Sequence, residues 1–389
     1  MNRDKTEQNI PSGWMVKTLT DLGEFKTGGV DKKIKQNERP VKLVNYMDVY
    51  RRKFIDDSIN FMEVTASDNE ISTAQIKIGD MLFTPSSETP YDIGHSAVVA
   101  KELPNTLFSY HLARLRFNEE YNNKIDLNFR AYFCNSREVL KQFEKMSVGA
   151  TRYTISKGKF ESIQVLIPES KSEQQKIAEI LGTVDEDIAK TQEVIEATEK
   201  LKWGLMQQLF TREINQKNWK EINLTDCFNL PSKLSGIKQT EYKDIGEFPI
   251  FDQGQNYISG YSDKKDLVVN NVPAILFGDH TRIIKYIKTP FVLGADGTKV
   301  FWAKENINSD FLYYLVLNQN IPNTGYNRHF KFLKDKIVSI PLEIKEQKEI
   351  AEILSAVDEK ISINKKLKAK LTLLKKGLMQ DLLSGKVRI

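Results

Sequence analysis

The chain has 389 residues, a net charge of +5 and 40% hydrophobic residues, which describes a globular protein too long for one ordinary core. It contains no apolar run long enough to span a bilayer, and residues 1–10 lack the apolar segment of a signal peptide. Cys134 and Cys227 are isolated and fit no metal-binding spacing, which favours a reducing compartment. We therefore expect two or more domains, a cytoplasmic location and no membrane partner.

The first body of the chain, residues 14–166, follows a polar N-terminal lead at residues 1–13. It mixes strand-like alternation with helical spacing, so we predict a mixed α/β (α+β) fold for it. The predicted elements are strands at 41–50, 75–83 (with a tight turn at Gly79 and Asp80) and 96–100, a helix at 129–143, and a closing strand that ends at Pro168.

A long helix is predicted next, in the segment 167–210. Its apolar residues recur at alternating steps of four and three, the seam of a coiled coil. About 40 residues at ~1.5 Å per residue give a helix ~60 Å long. The predicted seam residues are Ile177, Leu181, Val184 and Ile188.

The chain then repeats the same plan. A polar linker at 211–218 leads to a second body, residues 219–339, whose opening W-K-E-I-N-L-T-D resembles W-M-V-K-T-L-T-D at Trp14. Strands broken by glycine-rich turns are predicted at 248–261 and 272–282, a further strand and turn at 291–302, and a helix at 310–317. The segment 340–389 contains the second long helix, with seam residues Ile350, Leu354, Val357 and Ile361.

The two helical segments are copies of one sequence. Ile167 to Phe210 aligns with Ile340 to Leu383 without a gap, and about 20 of the 44 pairs are identical. Towards the end of each copy, the spacing between apolar residues includes two successive steps of three residues. This spacing predicts a local slip of the seam. We expect the copies to pack on each other. The slip is predicted to bring these leucines into the seam: Leu201, Leu205, Leu367, Leu371, Leu374 and Leu378.

The sequence contains no recognisable catalytic site. There is no nucleotide-binding glycine motif after a strand and no nucleophile elbow. The four histidines lie apart, without a second ligand at metal-binding spacing. The chain is expected to recognise a target rather than to catalyse a reaction, with no metal and no cofactor of its own.

Polar, glycine-containing loops in both bodies are the candidate recognition sites. Their arginines could contact guanine or phosphate, and their amide side chains could pair with adenine. Any one of them could also be an ordinary exposed loop residue. The candidate DNA contacts are Lys26, Thr27, Gly28, Ser86, Ser87, Thr151, Arg152, Tyr153, Lys238, Gln253, Gln255, Asn256, His280, Thr281, Arg282, Tyr326, Asn327 and Arg328.

The order of these segments closely resembles the specificity subunit of type I restriction–modification systems. The motif I-P…E-Q-x-x-I-A-E-I-L…G-L-M-Q occurs twice, each time after a variable body, and the resemblance extends from Trp14 to Gly385. It implies two target recognition domains of similar fold, joined by two long antiparallel helices that form a coiled coil with a pseudo-twofold arrangement. Each domain would read one half of a bipartite, asymmetric site in double-stranded DNA.

The resemblance also implies the partners. Two methyltransferase subunits would dock on the helices, whose length would set the unread spacer, and restriction subunits would complete the complex. S-adenosylmethionine, ATP and magnesium would belong to these partners, and the methyltransferase subunits would methylate a flipped adenine. Candidate partner contacts on the helices are Glu173, Glu186, Glu346 and Glu359.

Two other functions remain open from the sequence. The helices could form a scaffold whose globular lobes bind protein rather than DNA. Alternatively, the chain could be an enzyme with a cryptic active site, in which case it would act on DNA without partners.

Overall fold

The computed structural model describes residues 10–210, 218–231, 234–294 and 296–389. The first nine residues of the predicted lead and nearly all of the predicted linker lie outside these ranges. The chain forms two compact units, the first of Met1–Lys190 with Lys368–Ile389 and the second of Thr191–Leu367. Each unit therefore takes in part of both long helices. The predicted domain boundaries, which separate the helices from the bodies, stay a prediction.

The first unit combines short strands with short helices. Its strands are β1 (Trp14–Thr18), β2 (Gly23–Thr27), β3 (Arg39–Val44), β4 (Phe54–Ile55), β5 (Met62–Ala66), β6 (Met81–Phe83), β7 (Ser86–Ser87), β8 (Ser96–Val99), β9 (Thr106–Phe108), β10 (Ala113–Phe117), β11 (Tyr153–Thr154) and β12 (Gln164–Pro168). Its helices are α1 (Leu19–Leu22), α2 (Tyr46–Arg51), α3 (Asp68–Ala74), α4 (Glu119–Lys124), α5 (Leu127–Phe133), α6 (Arg137–Met146) and α7 (Lys157–Glu161), followed by the start of α8 (Lys171–Phe210).

The second unit is richer in strands. They are β13 (Trp219–Asn223), β14 (Phe228–Asn229), β15 (Gly236–Ile237), β16 (Phe248–Phe251), β17 (Gly260–Ser262), β18 (Val268–Val269), β19 (Ala274–Gly278), β20 (Ile284–Ile287), β21 (Phe291–Gly294), β22 (Thr298–Ala303) and β23 (Ile337–Pro341). The helices are α9 (Ser309–Leu317), α10 (Phe330–Lys334) and α11 (Ile344–Leu383), which ends in the first unit.

The two units share a central antiparallel sheet with the same topology. In the first unit the order is β2-β10-β6-β8, with β4 added in parallel at the edge. In the second unit it is β14-β22-β19-β20. In both, the first strand along the chain pairs with the last. The two recognition bodies therefore have similar mixed α/β folds, although their loops and second sheets differ.

The repeated opening and closing segments pair with each other. Strand β1 lies antiparallel to β12, so that Trp14 is opposite Pro168, and β13 pairs with β23 in the same register. Each tryptophan then donates its indole N–H to a glutamate in the first turn of the following long helix, Trp14 to Glu173 and Trp219 to Glu346. The pairing brings both ends of each body to the start of its helix.

The two long helices pack antiparallel, as expected from the resemblance. In each unit, residues early in one helix meet residues late in the other. The ion pairs that define this direction are Asp185–Lys375 in the first unit, and Lys202–Asp358 and Glu199–Lys365 in the second. Glu173 also pairs with Arg388, just beyond the end of α11. None of the helices that the structure describes is long and apolar enough to cross a membrane.

The seam between the helices has no slip. Of the predicted seam residues, six are buried and two, Ile188 and Val357, are half-buried. Leu201 and Leu374, which the predicted slip brings inward, are 55% and 51% exposed, and Leu367 is exposed as well. The steps of four and three instead continue without interruption to Lys202 and Lys375, whose side chains are only 13% and 20% exposed. The predicted slip is therefore wrong.

Several local predictions were only partly right. The predicted strand at 41–50 is β3 followed by α2, and the helix predicted at 129–143 is interrupted between α5 and α6. The strand predicted at 75–83 is reduced to β6, preceded by a turn in which Gly79 has a positive φ of 86°. The predicted strand at 96–100 and helix at 310–317 are confirmed as β8 and α9.

Candidate nucleic-acid interface

A polar pocket of about 390 Å³ opens on the first unit, and it contains predicted contacts from two separate loops. Strands β7 and β11 pair, which places Tyr153 opposite Ser87. Arg152 donates a hydrogen bond from Nη2 to Ser86 Oγ at 3.0 Å. The residues that line the pocket are Lys32, Tyr46, Met47, Tyr50, Ser86, Ser87, Glu88, Asp92, His111 and Arg152.

Two tyrosines that sequence reasoning missed form one wall of this polar pocket. Tyr46 and Tyr50 are one turn apart on α2, with ring centroids 5.9 Å apart and planes 19° from parallel. Tyr46 donates its hydroxyl to the Ser86 carbonyl at 2.9 Å, and Tyr50 donates to Asp92 at 3.0 Å. Side chains four residues apart lie on the same face of a helix. The spacing was not recognised as a shared surface because this segment was predicted as a strand.

The charges in the polar pocket are mixed rather than uniformly positive. Lys32 and Arg152 line it together with Glu88 and Asp92. Burial, followed by the nearby charges of Arg152 and Lys32, lowers the pKa of His111, so this ring is largely neutral at pH 7. Hydrogen-bond donors and acceptors therefore both line the pocket. The edge of a base offers both kinds of group, whereas a phosphate offers acceptors alone.

The third predicted loop of the first unit begins at the end of β2. Lys26 and Thr27 pair with Arg114 and Ala113 of β10, close in sequence to His111 of the polar pocket. Gly28 has a positive φ of 79°, and a side chain there would meet no atom within 4 Å. Thr151 is exposed beside Arg152. The backbone at Gly28 is thus open to a ligand. Gly28 is not among the residues that line the polar pocket.

In the second unit, three loops that are distant in sequence meet at Gln253. Its Oε1 accepts a hydrogen bond from the backbone N–H of His280 at 3.1 Å, and its Nε2 donates to the Asp296 carbonyl at 2.9 Å. The His280 ring stacks on Tyr326, with centroids 4.6 Å apart and planes 8° from parallel. Tyr326 is 88% exposed, so this stack presents an aromatic face to solvent.

A buried histidine holds the last of these loops in place. His329 directs its backbone N–H and its Nδ1 to the Asp279 carbonyl at 2.8 and 2.9 Å, and its Nε2 accepts from the Thr324 N–H at 3.3 Å. Asp279 also accepts from the N–H of Phe330 at 2.8 Å. These bonds fix both ends of the loop that carries Tyr326, Asn327 and Arg328. The sequence offered no sign of this role, because His329 and Asp279 are 50 residues apart.

The other predicted contacts of the second unit are less closely grouped. Lys238 lines a separate cavity of about 400 Å³ with Asp296. Arg282 has a positive φ of 61° and donates to the Ile321 carbonyl at 3.1 Å, which turns part of its guanidinium inward. The buried Lys285 donates to the Asn256 carbonyl at 2.5 Å and supports that turn. The remaining candidates, which are all exposed, are Gln255, Asn256, Thr281, Asn327 and Arg328.

The predicted partner contacts on the helices divide into two kinds. Glu173 is buried, bonded to Trp14 and to Arg388, and Glu346 is half-buried and bonded to Trp219. These two glutamates anchor the bodies on the helices, so the prediction that they are free partner contacts is wrong for both. Glu186 and Glu359 are exposed.

An exposed apolar stripe occurs at the same positions of both helices. We call it the outer stripe; it consists of Val194 and Leu201 on α8 and the aligned Leu367 and Leu374 on α11. Within each helix the two residues are seven apart, which places them on one face two turns from each other. An exposed apolar face repeated in this way is typical of a protein interface.

Comparison with known proteins agrees with this architecture. The sequence profile Methylase_S, the type I restriction modification DNA specificity domain, matches residues 11–199 and 216–373. The chain is 25% identical over 425 aligned positions to the putative type I restriction enzyme MjaX specificity subunit of Methanocaldococcus jannaschii, covering 100% of this chain and 97% of that protein. It is 26% identical over 311 positions to the MjaVIII specificity subunit of the same organism, covering 70% and 72%.

Solved structures show the same fold. The type I restriction–modification S subunit from M. genitalium aligns with a TM-score of 0.61 at 19% identity, over 97% of this chain and 98% of that one. A chain from a structure on the complex assembly and conformational transition of a type I system gives 0.61 at 16% identity, over 97% and 100%.

The sequence match spans both bodies and most of both helices, so the chain belongs to the family of type I restriction–modification DNA specificity domains. With two recognition domains and two long helices, it is the specificity subunit of such a system, a component that recognises DNA.

Proposed function

We propose that each recognition domain reads one half of a bipartite, asymmetric site in double-stranded DNA. The observation that carries this proposal is the difference between the two candidate surfaces on similar folds. The first unit presents the polar pocket with Arg152, whereas the second presents Gln253 and the stacked His280 and Tyr326. Base-reading side chains determine sequence preference, so unlike surfaces select unlike half-sites.

The long helices, in this proposal, set the number of unread base pairs between the half-sites. Support comes from the uninterrupted seam and from the bonds that fix each body to the start of its helix. A seam without a slip gives each helix a constant rise along its length. The distance between the readers is then a property of helix length rather than of a flexible linker.

Two methyltransferase subunits dock on the helices, and the outer stripe supports this part of the proposal. The stripe occurs once on each helix at aligned positions, which suits one partner present in two copies. Its leucines are about half exposed and would gain from burial in an interface. Restriction subunits then complete the complex. S-adenosylmethionine, ATP and magnesium would be bound by these partners, and the assembled complex would methylate adenine and cleave DNA.

The recognition function is tested by mapping methylated adenines in cells that express this chain with its methyltransferase subunits. We expect one motif with two unlike halves and a fixed spacer, which disappears when the gene for this chain is removed. A chimaera in which residues 219–339 are replaced by the equivalent body of a relative should change only one half. A palindromic motif, or methylation that persists without this chain, would contradict the proposal.

The docking surface is tested separately by pull-down of the methyltransferase subunit. Leu201→Glu and Leu374→Glu should each reduce the bound subunits from two to one, and the double variant should bind none. Ser355→Glu, at an exposed position of α11 outside the outer stripe, is the matched control.

A complex that assembles normally but binds no duplex would instead favour a protein-binding scaffold. Methylation or cleavage by the chain alone would indicate a cryptic enzyme.

A further inference from the structure

A half-buried aspartate lies at the same position of each long helix and binds the same kinds of partner. In the first unit, Asp185 of α8 pairs with Lys375 of α11 and accepts a hydrogen bond from the hydroxyl of Tyr132 at 3.0 Å. In the second unit, Asp358 of α11 pairs with Lys202 of α8 at 2.6 Å and accepts from Tyr314 at 2.8 Å.

The two clusters are related by the internal repeat of the sequence. Asp185 aligns with Asp358, and Lys202 aligns with Lys375, in the same gapless alignment that matches Ile167 to Ile340. Each helix therefore provides one aspartate to one unit and one lysine to the other. In both units the aspartate meets the lysine of the opposite helix and a tyrosine from a helix of the recognition body, α5 or α9.

These lysines occupy positions of the seam that a coiled coil normally fills with apolar residues. A polar residue at such a position selects one register, because any shift separates it from its partner. Moving one helix by a single turn displaces the ammonium by about 5.4 Å, which is beyond the reach of an ion pair. The charge would then be left unpaired among half-buried groups, a more costly arrangement than the paired one.

The tyrosines extend the same contact to the recognition bodies. Tyr132 and Tyr314 donate to the carboxylates that pair with the seam lysines, so helix register and body position depend on one group. The ring of Tyr314 also lies under Lys202, whose Nζ is 5.4 Å from its centroid. In the first unit the ring of Tyr132 lies under an additional lysine, Lys53, at 4.1 Å.

We infer that Lys202 and Lys375 are positioning residues, each of which fixes the register of the helix pair to the recognition body of its unit through an aspartate and a tyrosine. The consequence for DNA rests on the proposed function. If the helices set the spacer, these clusters determine how strictly one spacer length is accepted, while the sequence of each half-site is read elsewhere.

The second unit offers the cleaner test, because in the first unit Asp185 also pairs with a second lysine, Lys53, at 2.9 Å. The variants are Lys202→Asp, Asp358→Lys and the charge-swapped double variant. Lys200→Asp and Glu352→Lys, charge reversals of the same kind at exposed positions of the same two helices, are the controls. The complex with methyltransferase subunits is assayed on duplexes with fixed half-sites and spacers that differ by one base pair.

We expect each single variant to lose about 10- to 100-fold of its preference for the correct spacer, the range that a displacement of about an ångström can produce. The charge-swapped variant should recover most of this preference, and the controls should match the wild type. Single variants that keep the wild-type spacer preference, or a double variant no better than the singles, would overturn the inference.

A second measurement keeps this inference separate from the proposed function. Unfolding of the chain alone is followed for the same variants and analysed as a double-mutant cycle. Coupling between Lys202 and Asp358 should appear even if no DNA substrate is found, and Asp358→Asn should remove it. Coupling without any methylated target would count against the proposed function alone, and additive changes would count against the positioning role.

Discussion

Replacing Arg152 by alanine should weaken recognition of one half-site. The guanidinium carries five N–H donors in a rigid fork, and the contact with Ser86 Oγ at 3.0 Å uses one of them. That contact fixes the side chain at the rim of the polar pocket, where its other donors can reach a base edge. A bidentate contact to guanine contributes about 1–3 kcal/mol of discrimination, or about 5- to 150-fold in preference.

The assay compares methylation rates on the cognate duplex with those on duplexes altered at each base pair of that half-site. If Arg152 reads a base, Arg152→Ala should lose preference at one base pair and keep it at the others. If it contacts a phosphate, all sequences should weaken equally, and the slope of log affinity against log salt should fall by about 0.9. Arg152→Lys keeps the charge but loses the fork, so it should rescue only the phosphate contact.

The control for this prediction is Arg52→Ala, which removes the same charge from an exposed position of the first unit. The Arg52 guanidinium contacts Ser58 at 3.4 Å and does not line the polar pocket. If Arg152→Ala and Arg52→Ala have equal methylation rates on every duplex, Arg152 has no part in recognition.

Three further predictions concern the second unit, the long helices and Lys53. Arg328→Ala should alter target choice in the other half-site; an unchanged methylation rate and motif would exclude a role for Arg328. Removing Thr191–Ala197 and Asn364–Lys370 shortens each helix by ~10 Å and should shorten the mapped spacer by about three base pairs, whereas an unchanged spacer would contradict the helical ruler. Burial lowers the pKa of Lys53 from 10.5 to about 7, so above pH 7 the unfolded chain keeps a proton that the folded chain has lost. The unfolding free energy of the wild type relative to Lys53→Met should therefore rise between pH 7 and about 10, and parallel curves would show that Lys53 is not buried in this way.

The elements that could be predicted from the sequence were those in which apolar residues recur at a regular spacing. The two long helices, β8 and α9 have apolar patterns that extend over most of their length, and packing preserved them. The segment at 41–50 has strand-like alternation throughout, but the chain turns into α2 at Asn45. Its backbone N–H donates to Asp48 at 2.8 Å, a helix-capping contact that outweighs the strand propensity of the valines and tyrosines.

The arrangement of the candidate surfaces could not be derived in the same way. Single loops were recognisable by their glycines and polar residues, but their grouping depends on contacts between distant parts of the chain. His329 bonds to Asp279 across 50 residues, and Tyr46 to Ser86 across 40. No period in the sequence encodes such pairs, so the predicted site was a set of loops without a geometry. Whether these loops contact DNA stays a prediction.

The seam lysines show why apolarity alone misplaced the helix interface. At both aligned positions the sequence is Leu-Lys, and reasoning from hydrophobicity put the leucine inside. The structure does the opposite: Lys202 and Lys375 face their aspartates, while Leu201 and Leu374 face outward in the outer stripe. The same arrangement occurs on both helices. In each Leu-Lys dipeptide the lysine forms an ion pair in the seam, and the leucine provides an exposed apolar surface.

Exchanging the two residues separates stability from function. In the variant L201K/K202L, a leucine enters the seam and gains about 1.5–3 kcal/mol from burial. Asp358 loses its lysine, at a cost below the 3–5 kcal/mol of a fully buried pair because its side chain is 33% exposed. The two terms nearly offset, so thermal unfolding should change little. Docking of one methyltransferase subunit and the strictness of the spacer should nevertheless both decline. Full methylation with the wild-type spacer preference would show that the order of this dipeptide serves neither purpose.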